Sequence, residues 1–169
     1  MVLRSLFMKK ILIVSATSGN NFILAKKISE LFEETNEIIS LEDYELPLYS
    51  GKVKLEDQTI INDLCEKVIN ANGFVFCGPE YNGGSAPILT NAITWISVTT
   101  DYWRDAFSDK IGLIATHSGG NGNSFLSTFR QQLEFMGVVV YPRSIKVNKS
   151  KEFNVESNKK IIKRFQKLL

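Results

Sequence analysis

The chain has 169 residues, of which 44% are hydrophobic and 22% are charged, and its formal net charge is +2. This length and apolar content predict one compact domain over residues 1–169, with residues 1–8 interpreted as an N-terminal extension or an upstream start. The small charge argues against nucleic-acid binding, and no apolar run is long enough to span a membrane. The N-terminus has no signal-peptide core, and the two cysteines, in patterns typical of buried, reduced thiols, lead us to expect a cytoplasmic protein.

Strands and helices are predicted to alternate from residue 10 to the end of the chain. Buried strands are predicted at Lys10–Val14, Glu37–Leu41, Gly73–Cys77, Ile111–Thr116 and Val138–Tyr141. Helical spacing follows each strand, first from Asn20 to Phe32 and then around Leu64, Ile93, Phe129 and Phe165. Ser85 is expected to cap the third helix, with Pro87 in its first turn.

This alternation predicts an α/β fold: a doubly wound five-stranded parallel sheet of the flavodoxin-like type, with helices on both faces. Ligands of such sheets bind beyond the carboxyl ends of the strands, where the strand order reverses. The loops after the first, third and fourth strands converge there, so functional residues are sought in those three loops.

The first loop, SATSGNN, carries hydroxyls, amides and one glycine to the start of a helix. A helix N-terminus offers unpaired N–H groups and partial positive charge, so this loop can bind a phosphate without lysine or arginine. An ordinary capping turn is the alternative. The loop lacks the glycine spacing of dinucleotide sites and the Gly-Lys ending of nucleoside triphosphate sites. The candidate phosphate ligands are Ser15, Thr17, Ser18, Gly19, Asn20 and Asn21.

The other two loops are rich in glycine and exposed main chain. GPEYNGG, after the third strand, can bring backbone donors and acceptors close to a flat ligand such as a flavin, and a hairpin-like connection is the alternative. HSGGNGN, after the fourth strand, offers small side chains, with a surface turn as its alternative. Three such loops at one sheet edge favour a ligand site.

The cysteines and the single histidine do not suggest a metal or redox centre. Cys65 and Cys77 are too far apart in sequence for a redox or metal pair, and both lie in apolar patterns typical of buried, reduced thiols. One histidine, His117, is too few for a histidine-based cluster. We therefore expect no metal site.

The segment PEYNGGSAPILTNAITW resembles the Pro-Glu-Tyr-Asn-Gly motif and the following Leu-x-Asn-Ala-Ile-x-Trp helix of NAD(P)H-dependent FMN reductases. These are flavodoxin-like enzymes with azo-, quinone- and chromate-reducing members, and the resemblance extends from Met8 to Pro142. It implies that FMN phosphate binds the first loop. The ring edge would lie against Pro79, Glu80, Tyr81, Asn82 and Gly83. The other side of the pocket would be bounded by His117, Ser118, Gly119 and Gly120.

The same resemblance implies an enzyme that takes electrons from NADPH or NADH and passes them to a small acceptor, which would be free flavin, a quinone, an azo compound or a metal oxyanion. It also implies a homodimer or homotetramer. No catalytic side chain is assigned, because the chemistry belongs to the cofactor. The first loop departs from the family pattern: it is short, lacks arginine and is closer to the phosphate loop of flavodoxins.

Two alternative functions remain open for the same fold. One is a flavodoxin-type electron carrier, although such carriers are generally acidic and the sequence pI is about 8.5. The other is an FMN-binding module without NAD(P)H turnover. The aromatic residues Tyr102, Trp103 and Phe107 are expected near the ligand edge, either as a satellite core or as part of a subunit interface.

Overall fold

The computed structural model describes residues 9–169, and the extension expected at residues 1–8 lies outside them. The strands are β1 (Ile11–Ser15), β2 (Asn36–Ser40), β3 (Gly73–Cys77), β4 (Glu80–Tyr81), β5 (Gly84–Ser85), β6 (Ile111–His117), β7 (Val139–Val140) and β8 (Ile145–Val147). The helices are α1 (Asn20–Ser29), α2 (Thr59–Asn70), α3 (Pro87–Thr99), α4 (Asn123–Phe135) and α5 (Val155–Gln166). No helix formed by these residues has both the length and the apolar character needed to cross a membrane.

The main sheet is parallel and has the order β2-β1-β3-β6-β7, with β8 also paired to β6. This is the flavodoxin-like order, so the predicted fold class is confirmed. Ser15 is in register with Cys77, and Cys77 with Ala115. The carboxyl ends of β1, β3 and β6 therefore lie side by side, and the loops that follow them meet at one edge.

Helices cover both faces of the sheet because successive side chains of a strand point to opposite sides. Ile11 and Ile13 of β1 belong to the core under α1 and α5, whereas Leu12 and Val14 belong to the core under α2, α3 and α4. Every residue of β1 is buried, as expected for a central parallel strand. Burying an isoleucine or leucine side chain in such a core contributes about 1.5–3 kcal/mol.

The fifth strand position is divided between two short strands. β7 pairs with the start of β6, at Ile111 and Gly112, and β8 pairs with its end, from Ala115 to His117. Pro142 lies between them and has no N–H for a ladder hydrogen bond. The strand predicted at Val138–Tyr141 is therefore too long, and β8 is an element that the sequence reasoning missed.

The start of α3 differs from the expected capping pattern. Ser85 lies in β5 and does not cap the helix; Ala86 occupies the N-cap position, without a side-chain hydrogen bond in the described part of the chain. Pro87 stands in the first turn, as predicted. Its fixed φ suits a helix start without a polar cap.

The aromatic cluster lies at the amino edge of the sheet, away from the ligand edge. α3 runs back from the carboxyl ends of the strands, and residues 100–110 then lead into the first residue of β6. Trp103 packs against Tyr102 and against Phe135 at the end of α4, with ring centroids 6.3 and 5.6 Å apart. Phe107 is buried in the main core, 6.1 Å from Phe74. The expectation that this cluster borders the ligand site is wrong because it ignored the direction of α3.

Both cysteines are buried and unpaired within residues 9–169, as predicted. Burial raises the pKa of Cys65 to about 11 and raises the pKa of Cys77 as well. A thiolate is the reactive form of cysteine, so neither thiol is suited to redox chemistry.

Candidate functional site

The loop between β1 and α1 already binds a carboxylate from its own chain. Ser18 donates its N–H to Oε2 of Glu42 at 2.7 Å and its hydroxyl to the same oxygen. Glu42 lies in a short 3₁₀ turn, Leu41–Tyr44, directly after β2. The hydroxyl and N–H of Ser18 hold the pKa of Glu42 below its usual range. The N–H and hydroxyl of Ser18 thus already have a negatively charged oxygen as partner, which is the kind of contact that a phosphate would need from this loop.

Two of the predicted phosphate ligands have other partners. Ser15 is fully buried, and its hydroxyl donates to the carbonyl of Thr17 at 2.7 Å. Asn21 is 2% exposed; it donates to the carbonyl of His117 at 3.0 Å and accepts from the N–H of His117 at 2.8 Å. The side chains of Ser15 and Asn21 thus support the loop from below. They do not line its exposed surface.

The remaining members of the loop are accessible. Ser18, Gly19 and Asn20 are exposed, and Thr17 is half-buried. Within the described residues no side chain caps the first turn of α1. The N–H of Phe22 donates to the carbonyl of Gly19 at 3.0 Å, whereas the N–H groups of Gly19, Asn20 and Asn21 have no partner among the described residues and are available to a ligand.

The loop after β3 forms a tight two-residue hairpin. β4 and β5 pair in antiparallel fashion, and Asn82 and Gly83 between them have φ values of 50° and 75°. Positive φ at both central positions is the geometry of the hairpin turn for which Asn-Gly is the preferred sequence. The hairpin considered as an alternative is thus present, and it holds the main chain of Tyr81, Asn82 and Gly83 at the surface.

Glu80 and Ser118 join the second loop to the third. Oε2 of Glu80 accepts from the N–H groups of Ser124 and Phe125 at the start of α4, at 2.8 and 3.2 Å. The N–H of Glu80 donates to Oγ of Ser118 at 2.9 Å, and that oxygen lies 2.7 Å from Oγ1 of Thr116. A carboxylate at a helix N-terminus interacts favourably with the helix dipole. Both side chains therefore hold the hairpin in place, and the oxygen atoms that do so already have hydrogen-bond partners.

The loop after β6 is open where its two glycines lie. A side chain at Gly19, Gly119 or Gly120 would meet no described atom within 4 Å. Gly119 and Gly120 are exposed, in contrast to the buried Ser118 beside them. A flat ligand can therefore approach the main chain of this loop closely.

The resemblance implies that His117 bounds the flavin pocket on the side opposite the hairpin. His117 shares the face of Leu113 and Ala115, which packs against α1 and α5. Its side chain lines a cleft of about 490 Å³ together with Lys27 and Phe153. The hairpin of Asn82, by contrast, is tied to the start of α4 on the opposite face.

These three loops fit a ligand such as FMN, which combines a phosphate with a flat ring. Ser18 already binds a carboxylate oxygen of Glu42, and the hairpin and the glycine loop are exposed beside it. The loop contains neither lysine nor arginine, so N–H groups, hydroxyls and the helix dipole must meet the phosphate charge. Glu42 was not predicted as part of this site.

The sequence is similar to those of two reductases. An NADPH azoreductase of Bacillus sp. (strain OY1-2) is 29% identical over 116 residues, covering 67% of this chain and 61% of the relative. A quinone reductase of Escherichia coli (strain K12) is 33% identical over 118 residues, covering 68% and 60%. The matched segment thus spans about 60% of the length of these two relatives.

The fold has a counterpart among solved structures. The flavoenzyme NAD(P)H:(acceptor) oxidoreductase FerB from Paracoccus denitrificans superposes with a TM-score of 0.77 at 18% identity, over 95% of this chain and 96% of that one. Residues 8–152 match the family model described as NADPH-dependent FMN reductase. That match covers most of the chain, which therefore belongs to the NADPH-dependent FMN reductase family.

Proposed function

We propose that the protein is an FMN-dependent NAD(P)H oxidoreductase that passes a hydride from NADPH or NADH to flavin and then reduces a small acceptor. The observation that carries the proposal is the oxyanion-binding loop at the start of α1, which lies beside two exposed loops at the point where the strand order reverses. Membership of the reductase family supports the same assignment.

The residues of the chain bind and orient the cofactor in this proposal. Ser18 and the free N–H groups at Gly19 and Asn20 hold the phosphate, while Asn82 and Gly83 present main-chain groups to the ring edge. Glu80 positions the hairpin through its hydrogen bonds to α4. FMN, when bound, supplies the redox chemistry by accepting a hydride from the nicotinamide and releasing electrons to the acceptor. No side chain of the protein is needed as a nucleophile or general base.

The acceptor in this proposal is a small molecule: a quinone or an azo compound, as in the names of the two relatives, or free flavin or a metal oxyanion. An open site with exposed glycines at its rim suits acceptors of varied shape. We further propose a homodimer or homotetramer in the cytoplasm, which light scattering and cell fractionation would test. A monomer at micromolar concentration would contradict the assembly without affecting the redox proposal.

The testing experiment is a spectrum of the protein incubated with FMN, desalted, and then mixed anaerobically with one equivalent of NADPH or NADH. Retained flavin that bleaches rapidly supports a reductase and identifies the donor. NAD(P)H oxidation that requires added FMN supports a reductase that uses flavin as a substrate. Retained flavin that ignores both nucleotides would instead support a flavodoxin-type carrier, the alternative raised by the short, arginine-free first loop.

A glycine substitution tests the ring position. Gly83→Val should weaken FMN binding at least about tenfold, because a β-branched residue resists the φ of 75° and would distort the hairpin. Gly51→Val is the matched control, since Gly51 lies in an exposed turn with open space around it and no positive φ. Equal FMN affinity in the two variants would contradict the ring assignment.

A further inference from the structure

The donors expected to bind the FMN phosphate are occupied by Glu42. Its Oε2 accepts both the N–H and the hydroxyl of Ser18, which are among the most exposed donors of the β1–α1 loop. Glu42 itself is exposed, and none of the ion pairs among residues 9–169 involves it. Ser18 is its hydrogen-bond partner, so nothing else in the described chain fixes this carboxylate.

A phosphate and this carboxylate cannot share Ser18. Both are anions that need the same two donors, and the loop has no lysine or arginine to offset their repulsion. A bound phosphate must therefore either displace the Glu42 carboxylate from Ser18 or bind next to its negative charge and be repelled by it. Because the Glu42 side chain is exposed, it can move into solvent without unfolding its 3₁₀ turn.

We propose that Glu42 is an internal competitor of the FMN phosphate, which lowers FMN affinity so that the flavin exchanges instead of being retained. This inference rests on the proposed function and concerns the specificity of the same site. Riboflavin has no phosphate and does not need the Ser18 donors, so its binding is insensitive to Glu42. The protein should accordingly discriminate only modestly between FMN and riboflavin.

The test is a titration of the full chain with FMN and with riboflavin, followed by flavin fluorescence at 0.15 M salt. Glu42→Ala removes both the charge and the acceptor, and Glu42→Gln removes the charge but keeps an acceptor. We expect the Kd of FMN to fall about fivefold or more in Glu42→Ala and by a smaller factor in Glu42→Gln. The Kd of riboflavin should change by less than about twofold, since no charge repulsion is relieved.

Asp43→Asn is the matched control. Asp43 is the exposed neighbour of Glu42 in the same turn, and no hydrogen bond joins it to the loop within the described residues. The substitution changes the net charge by the same amount, so it should alter the Kd of FMN by less than about twofold at this salt concentration.

Three results would overturn the inference. Weaker or unchanged FMN binding in Glu42→Ala means that Glu42 supports the loop and does not compete. An equal gain for riboflavin means that the effect is steric and independent of the phosphate. If Glu42→Ala leaves the Kd of FMN unchanged but NAD(P)H turnover with FMN is intact, only the inference about Glu42 fails. If neither the wild type nor any variant binds FMN or oxidises NAD(P)H, both this inference and the proposed function fail.

Discussion

Asn21→Leu should destabilise the fold, because the side chain joins α1 to the end of β6. Asn21 is 2% exposed and makes two hydrogen bonds to the main chain of His117, at 2.8 and 3.0 Å. Each bond contributes about 0.5–1.5 kcal/mol net, and a buried group left without a partner costs about 1–3 kcal/mol. Leucine fills a similar volume but replaces neither bond. We therefore expect the free energy of unfolding to fall by about 2–4 kcal/mol.

Urea unfolding followed by circular dichroism measures this change. Asn20→Leu is the control, since Asn20 is the exposed preceding residue and its replacement should stay within about 0.5 kcal/mol of the wild type. If Asn21→Leu differs from Asn20→Leu by less than about 0.5 kcal/mol, the two hydrogen bonds do not hold α1 against β6 and the reasoning is refuted.

Further predictions concern the other charged and ionisable side chains. Glu80→Ala should lower the free energy of unfolding by about 1–2 kcal/mol through loss of the cap on α4, measured by urea titration; no loss would mean that the cap is not needed. Cys65 and Cys77 should not react with a disulfide reagent at pH 8 unless the protein is unfolded, because burial raises both thiol pKa values. The hydrogen bond from Lys67 lowers the pKa of Glu37, so the stabilisation from Glu37 is present above its usual pKa of about 4.5 and is lost as the pH falls below it. Urea unfolding at pH 7 and pH 3.5 should show a smaller difference in Glu37→Gln, and an equal difference would exclude this contribution.

The strand order could be predicted from the sequence because it depends on local patterns. Five apolar runs separated by helical spacing leave few topologies open, and the connections between parallel strands are right-handed. The division of the last strand could not be predicted in the same way. It depends on where Pro142 interrupts the pairing with β6, although the alternation of apolar and charged residues in Ile145-Lys146-Val147 is a usable sequence signal for β8.

The candidate site was predicted at the level of loops but not of side chains. Serine and asparagine in SATSGNN mark an oxyanion loop, yet only the packing shows that Ser15 and Asn21 face inward. Glu42 is 24 residues from Ser18 in the sequence, and only the structure shows that the two are in contact. The strand register explains this contact: Ser15 pairs with Ser40, so residues just beyond β2 lie beside those just beyond β1.

The interrupted outer edge of the sheet has a consequence for self-association. β7 has two residues and β8 three, with Pro142 between them. Short edge strands broken by proline give another chain no continuous ladder of N–H and C=O groups on which to add a strand. Val139 is 58% exposed on this edge and would otherwise favour such pairing. The broken strand thus protects this edge of the sheet against pairing with another chain.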